Sequence, residues 1–121
     1  MIPLVLLLSS SFCGMYTSVC YNALAEAGLH PLDTDEKTGL AWIDVLGRVL
    51  YCESRYKHDA LNDENNTPAG SRDRGIAQIN DHWHSNVTDK QAFDPVFSIK
   101  YVARHFAEGK AGLWTCYKGI R

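Results

Sequence analysis

Apolar residues recur at three- and four-residue spacing in three stretches of the chain, and this period predicts amphipathic helices. The first stretch has its apolar positions at Tyr16, Val19, Ala23 and Ala27. Gly28 follows directly and is expected to end this helix, because glycine readily adopts the left-handed conformation found just after helix ends.

The second periodic stretch carries a carboxyl group on its apolar side. We expect a helix that begins at Thr38, runs through Trp42 and ends at about Ser54. Four positions share one face of it: Trp42, Leu46, Val49 and Glu53.

In the third stretch, Asp94 is expected to cap a helix that has Pro95 in its first turn and Gly109 after its last. Its apolar face consists of Val96, Ile99, Val102, Ala103 and Phe106. Between the second and third helices, Leu61–Gly75 is polar and rich in Asn, Pro and Gly, so we expect turns and one short, weak hairpin. The pattern predicts an α+β fold that is mainly α-helical and has a small polar loop or hairpin lobe.

Composition adds limits on size and partners. A chain of 121 residues that is 45% hydrophobic and 21% charged is typical of one globular domain. The formal net charge of −2 gives no reason to expect nucleic acid as a partner. We expect a monomer, although the sequence does not determine the oligomeric state.

Residues 1–25 contain no Asp, Glu, Lys or Arg, and Ile2–Leu8 is apolar apart from Pro3. The segment is either an export signal, cleaved near Cys13, or the first packed element of the fold; we slightly favour export. The apolar run is too short to span a bilayer, so no stable membrane span is expected. Residues 26–121 form the expected catalytic domain.

Four cysteines are an even set, as in many small extracellular proteins. We favour a Cys52–Cys116 disulfide, which would close a long loop, stabilise the fold by roughly 4 kcal/mol on the chain-entropy model and clamp the residue beside Glu53. Cys13 and Cys20 are then each other's nearest partners. The alternative is that all four are reduced core cysteines.

Two carboxyl groups have opposite surroundings. Glu53 lies on the apolar stripe of its helix, where loss of water disfavours the charged form and raises the pKa. Asp73 stands among Ser71, Arg72 and Arg74, where hydrogen bonds and cations are expected to favour ionisation. Glycoside cleavage needs such an acid and such a carboxylate on either side of the scissile bond.

Two segments and their order resemble the lysozyme superfamily. The first is Cys52-Glu53-Ser54-Arg55-Tyr56, and the second runs from Gly70 through Gly75-Ile76-Ala77-Gln78-Ile79-Asn80 to Trp83. Chicken-type lysozymes and the bacterial or phage soluble lytic transglycosylases carry this order. The resemblance covers about residues 40–117 and implies a lysozyme-like fold.

The resemblance implies a role for each matching residue. Glu53 would be the general acid, and Asp73 the nucleophile or electrostatic stabiliser, unless Asp73 is only a hydrogen-bonding loop residue. The substrate-binding residues would be Ser54, Gln78, Asn80, Trp83, Trp114 and Tyr117. Ser54 could instead be a helix cap, the two amides could satisfy turn backbone, and both Trp114 and Tyr117 could be ordinary core aromatics. Tyr117 resembles a tyrosine that bonds the catalytic Glu, and Trp114 would supply an apolar wall beside it. His84 departs from the family, because lysozymes have a second Trp there.

The expected function is a peptidoglycan-cleaving glycosidase (muramidase) that cuts the β-1,4 bond between N-acetylmuramic acid and N-acetylglucosamine. One alternative is a lytic transglycosylase that forms a 1,6-anhydro product, with Glu53 as the sole acid and base. The other is a catalytically silent sugar-binding module on the same scaffold.

No cofactor or metal is expected, since His82 and His84 lack a third ligand in the sequence. Two sequons, Asn65-Asn66-Thr67 and Asn86-Val87-Thr88, matter only in a host that glycosylates. The expected partner is the peptidoglycan glycan strand, and the expected location is extracytoplasmic (secreted or periplasmic) or virion-associated.

Overall fold

The computed structural model describes residues 13–120. The apolar run Ile2–Leu8 therefore lies outside the described residues. Within them the chain forms five α-helices and three short strands, in the order α1 (Thr17–Glu26), α2 (Trp42–Ser54), β1 (Leu61–Asn62), β2 (Asp73–Arg74), β3 (Ile79–Asn80), α3 (Asp89–Ala92), α4 (Pro95–Ala107) and α5 (Thr115–Lys118). Two 3₁₀ turns, Gly14–Tyr16 and Ala111–Leu113, precede α1 and α5. The expected α+β, mainly helical class is confirmed.

The core lies where α1 and α2 pack against each other and α4 packs against α1. Leu24 of α1, Leu46 and Leu50 of α2 and Ile99 and Val102 of α4 are fully buried there. Val96, which was expected on the buried face of α4, is 41% exposed. Tyr101 lies among the buried residues instead.

Helix ends follow the local signals closely. Asp94 Oδ1 accepts hydrogen bonds from Val96 N and Phe97 N, which caps the start of α4. After α1, Gly28 has φ of +93°, and Leu29 N donates to Leu24 O as in a Schellman motif. Gly109 ends α4 in the same way.

The predicted start of α2 is wrong by four residues. Thr38 belongs to a turn, where its hydroxyl donates to Asp35 Oδ2, and Asp35 N donates to Leu40 O. Because the buried Asp35 organises this turn, the chain enters the helix only at Trp42.

The three strands form one antiparallel sheet in the order β1-β2-β3. Asp73 lies opposite Asn62 on one side and Asn80 on the other. Neighbouring residues of a strand point to opposite faces, so Asp73 and Arg74 face different ways. Arg74 is buried.

Gly75, directly after β2, permits a close approach of two segments. Its φ is +79°, and a Cβ at this position would collide with the carbonyl of Ala92 at the end of α3. Only glycine tolerates this φ and also leaves room for the Ala92 carbonyl. Gly75 therefore allows the sheet to pack against the α3–α4 region.

Two disulfides are present, and the described residues contain no free cysteine. Cys13 joins Cys20 beside α1, and Cys52 joins Cys116, the pairing that the sequence favoured. The second bridge fastens the last turn of α2 to α5 across 64 residues of chain.

None of the helices described between residues 13 and 120 is long and apolar enough to cross a membrane.

Candidate functional site

A cavity of about 330 Å³ lies between the end of α2, the small sheet and the segment that leads into α5. Six of the residues singled out in the sequence line it: Glu53, Asp73, Gln78, Asn80, Trp83 and Trp114. Residues from four separate segments thus meet around one space.

Glu53 lies in the last turn of α2 and is half-buried. Its Oε2 accepts a hydrogen bond of 3.3 Å from the backbone N–H of Cys116. The pKa of Glu53 is raised from 4.5 to about 7, chiefly by burial; the Cys116 hydrogen bond lowers it in part, and the charge of Asp73 adds a smaller increase. The carboxyl is therefore partly protonated at neutral pH.

This raised pKa has a consequence for stability. A carboxyl whose pKa is higher in the folded than in the unfolded state stabilises the fold below the unfolded value of about 4.5, and this contribution is lost as the pH rises through about 7. Glu53→Gln cannot ionise. Its stability relative to the wild type should therefore increase by up to about 3 kcal/mol between about pH 3.5 and pH 8.5.

Urea unfolding at both pH values measures this difference. The exposed Glu64 supplies the matched control, and Glu64→Gln should show no such gain. Equal stability gains for the two variants would contradict an environment-specific shift at Glu53.

Asp73 lies in β2, where its Oδ1 accepts a 2.9 Å hydrogen bond from Asn80 Nδ2 on the paired strand. The cations expected to favour its ionisation bind other carboxylates. Arg72 donates to Asp81 and Asp89 at 2.8 Å, and Arg74 donates to Asp89 at 3.0 Å. Arg74 forms no ion pair with Asp73, because it projects from the opposite face of the strand.

The two amides hold the cavity wall together. Asn80 Nδ2 bonds Asp73 and Ser71, and its Oδ1 accepts from the backbone N–H groups of His82 and Trp83. Gln78, at φ of +50°, donates from Nε2 to backbone carbonyl oxygens. Both Gln78 and Asn80 therefore bind backbone groups of turns, which was the alternative to a role in substrate binding.

Two tryptophans line the cavity in different ways. Trp83 is 67% exposed, with Nε1 donating to Thr67 O at 3.3 Å, so much of its indole faces solvent. Trp114 is only 4% exposed and donates from Nε1 to Ala77 O at 2.9 Å. Trp114 thus fixes one wall, and Trp83 offers a flat apolar surface.

Ser54 and Tyr117 do not line the cavity. The Ser54 hydroxyl donates to Ile76 O at 2.6 Å, which ties the end of α2 to the β2–β3 loop. It therefore positions the neighbouring Glu53 and is not a surface group.

The expected bond from Tyr117 to Glu53 is not formed. The Tyr117 hydroxyl donates to the buried Asp35 Oδ2 at 2.9 Å, and burial together with this carboxylate raises the pKa of Tyr117 to about 12. Cys116 and Tyr117 are neighbours on a helix, so they point about 100° apart. Because the disulfide directs the Cys116 side chain to Cys52 at the end of α2, the Tyr117 side chain points elsewhere and reaches the α1–α2 turn.

Sequence reasoning missed two contributors to the site. The backbone N–H of Cys116 bonds Glu53, and no sequence pattern identifies a backbone donor. His84 lines the cavity, whereas the sequence identifies it only as a departure from the second tryptophan of lysozymes. Among residues 13–120 no cluster of three or more His, Cys, Asp or Glu side chains is arranged to hold a metal ion.

No family model, curated protein or solved structure matches this chain.

Proposed function

We propose that this chain has a lysozyme-like fold and is a muramidase, which cleaves the β-1,4 bond between N-acetylmuramic acid and N-acetylglucosamine in peptidoglycan. One observation carries the proposal: Glu53, with a pKa of about 7, and Asp73 line the same cavity. Glycoside cleavage requires a carboxyl group that can hold a proton at neutral pH and a second carboxyl group beside the same cleft. Lysozyme is itself the standard example of this arrangement.

In this mechanism the protonated Glu53 donates its proton to the glycosidic oxygen, and the sugar gains oxocarbenium character. As the C–O bond to the leaving sugar breaks, Asp73 stabilises the positive charge or bonds to the anomeric carbon. Water, deprotonated by Glu53, then attacks that carbon, which leaves a reducing sugar and returns the proton to Glu53. Asn80 holds the Asp73 carboxylate through its 2.9 Å hydrogen bond, so the orientation of that group is set before the substrate arrives.

Substrate binding draws on the surfaces around the two carboxyl groups. The exposed indole of Trp83 suits the apolar face of a pyranose ring. Oxygen atoms of Glu53, Asp73 and Gln78 can accept hydrogen bonds from sugar hydroxyls.

A lytic transglycosylase is the second candidate, and the pKa of Glu53 favours it. A group with a pKa near 7 can give up a proton and then take one back at neutral pH. In that reaction Glu53 protonates the leaving oxygen and then removes the proton of the muramoyl C6 hydroxyl, which attacks to form the 1,6-anhydro ring.

Mass spectrometry of digested, purified peptidoglycan separates the two reactions, because the anhydro product lacks the water that hydrolysis adds. We expect reducing muramic acid ends. Anhydro ends at every cut would assign the transglycosylase reaction instead. Intact glycan after prolonged digestion would contradict both.

The two disulfides are typical of proteins that fold in oxidising compartments. They support an extracytoplasmic location, secreted or periplasmic, or incorporation into a virion.

A further inference from the structure

His84 belongs to an aromatic cluster at one side of the cavity. Its Nδ1 lies 2.7 Å from the hydroxyl of Tyr101, which is 6% exposed. Its ring stacks on Trp114, with 6.0 Å between the ring centroids and 23° between the planes. These two contacts fix both the position and the plane of the imidazole.

The Tyr101 contact also determines the tautomer of His84. Within residues 13–120 the Tyr101 hydroxyl has no other hydrogen-bond acceptor. If His84 donated from Nδ1, the proton of the Tyr101 hydroxyl would have no acceptor within these residues, which disfavours that tautomer. Tyr101 therefore donates to Nδ1, and the neutral imidazole carries its proton on Nε2.

Burial, together with nearby positive charge, keeps His84 neutral. Burial lowers the pKa of His84, and the nearby His105 and Arg74 lower it further. The cation of Arg104 and the carboxylate of Glu108 act on Tyr101 with opposite signs. At neutral pH the ring is therefore a fixed donor of one proton.

The Nε2–H group is accessible to a ligand. In the described part of the chain, Arg74 Nη2 is the one buried side-chain nitrogen or oxygen without a hydrogen-bond partner. Within residues 13–120 His84 Nε2 has no hydrogen-bond partner and is not among these buried atoms, so it is in contact with solvent. Because His84 lines the cavity, a ligand in that space can reach it.

Other side-chain nitrogens of the cavity wall already donate to the protein. This holds for Asn66, Gln78, Asn80, Trp83 and Trp114. Among the described residues of the wall, His84 Nε2 is then the one side-chain nitrogen that does not already donate to the protein. An acceptor on the ligand, such as an N-acetyl carbonyl, therefore finds its nitrogen donor there.

We infer that His84 is a substrate-binding residue whose Nε2–H donates to an acceptor oxygen of the bound glycan, of the class of an N-acetyl carbonyl, and that Tyr101 is its positioning residue. The inference rests on the proposed function for its ligand. At the position where lysozymes have a second tryptophan, this chain would then recognise the sugar by a hydrogen bond instead of by stacking.

Binding of tri-N-acetylchitotriose to the full chain tests the donor. His84→Phe keeps an aromatic ring against Trp114 but has no N–H, and we expect its Kd to rise about tenfold, as the loss of one hydrogen bond implies. His84→Gln retains an N–H and should stay within about threefold of the wild type. The exposed His58 supplies the control, and His58→Gln should bind as the wild type does.

Nitrogen-15 NMR of the imidazole tests the positioning role independently of activity. The wild type should show a protonated Nε2 and an unprotonated Nδ1, and Tyr101→Phe should give a mixture of tautomers and a raised Kd. An unchanged Kd in His84→Phe, or a protonated Nδ1 in the wild type, would overturn the inference.

The inference and the proposed function can fail separately. Tight chitotriose binding that depends on His84, without any cleavage of peptidoglycan, would leave the inference standing and refute the enzyme. Cleavage of peptidoglycan by the wild type, together with an unchanged Kd in His84→Phe, would support the enzyme and overturn the inference. Absence of chitotriose binding by the wild type would overturn the inference.

Discussion

Glu53→Gln is expected to lower the rate of peptidoglycan cleavage by about 10²–10⁴-fold or more, the range that general acid catalysis supplies. Glutamine keeps the size and polarity of the side chain but has no proton to donate to the glycosidic oxygen. Turbidity clearing of a peptidoglycan suspension measures the loss. Glu64→Gln, which also removes one carboxyl, should clear at the wild-type rate.

The same variant separates an enzyme from a sugar-binding module. In an enzyme, Glu53→Gln should lose clearing while it keeps its affinity for tri-N-acetylchitotriose. A module would show no clearing even as the wild type, with binding intact. Clearing by Glu53→Gln at the wild-type rate would remove Glu53 from the mechanism.

Removal of the Cys52–Cys116 disulfide has the largest expected effect on stability. Replacing both cysteines by alanine opens a loop of 64 residues, and we expect a loss of about 4 kcal/mol in the free energy of unfolding. Cleavage should fall as well, because α5 would no longer hold the Cys116 N–H against Glu53. Urea unfolding measures the first effect, and clearing well below the midpoint temperature measures the second.

The Cys13–Cys20 bridge is the matched control. It closes only seven residues of chain, so replacing both by alanine should cost about 2 kcal/mol and leave cleavage by the folded protein unchanged. If the two double variants lose equal amounts of activity, the second bridge has no specific role at Glu53.

Local signals predicted the three longer helices and the position of the acid, but not the four-residue helices α3 and α5. Asp94, Gly28 and Gly109 each act on backbone groups within a few residues, so their effects do not depend on the rest of the fold. Glu53 follows the same logic, because the apolar stripe of α2 determines which way its side chain points. This orientation leaves the carboxyl half-buried, and burial raises its pKa.

Contacts between distant segments could not be predicted in this way. Arg74 is adjacent to Asp73 in sequence, yet the strand directs it to Asp89, fifteen residues away. Tyr117 bonds Asp35 across 82 residues. Asp35 also keeps Thr38 out of α2.

For the site residues, too, the positions could be predicted but the contacts between segments could not. The positions of Gln78, Asn80 and Trp83 beside the carboxyl groups followed from the resemblance. Their hydrogen bonds did not, because those depend on the turn geometry of the chain after β2. The role of Asn80 as a partner of Asp73 required the strand register.

The central claim is that Glu53 holds a proton at neutral pH while Asp73 lines the same cavity. Carbon-13 NMR of the glutamate side-chain carboxyls, with the Glu53 signal assigned by its absence in Glu53→Gln, measures this directly. We expect a titration midpoint for Glu53 near pH 7, as its burial implies. A midpoint near 4.5, the ordinary value of a glutamate, would leave the proposed reaction without a proton donor.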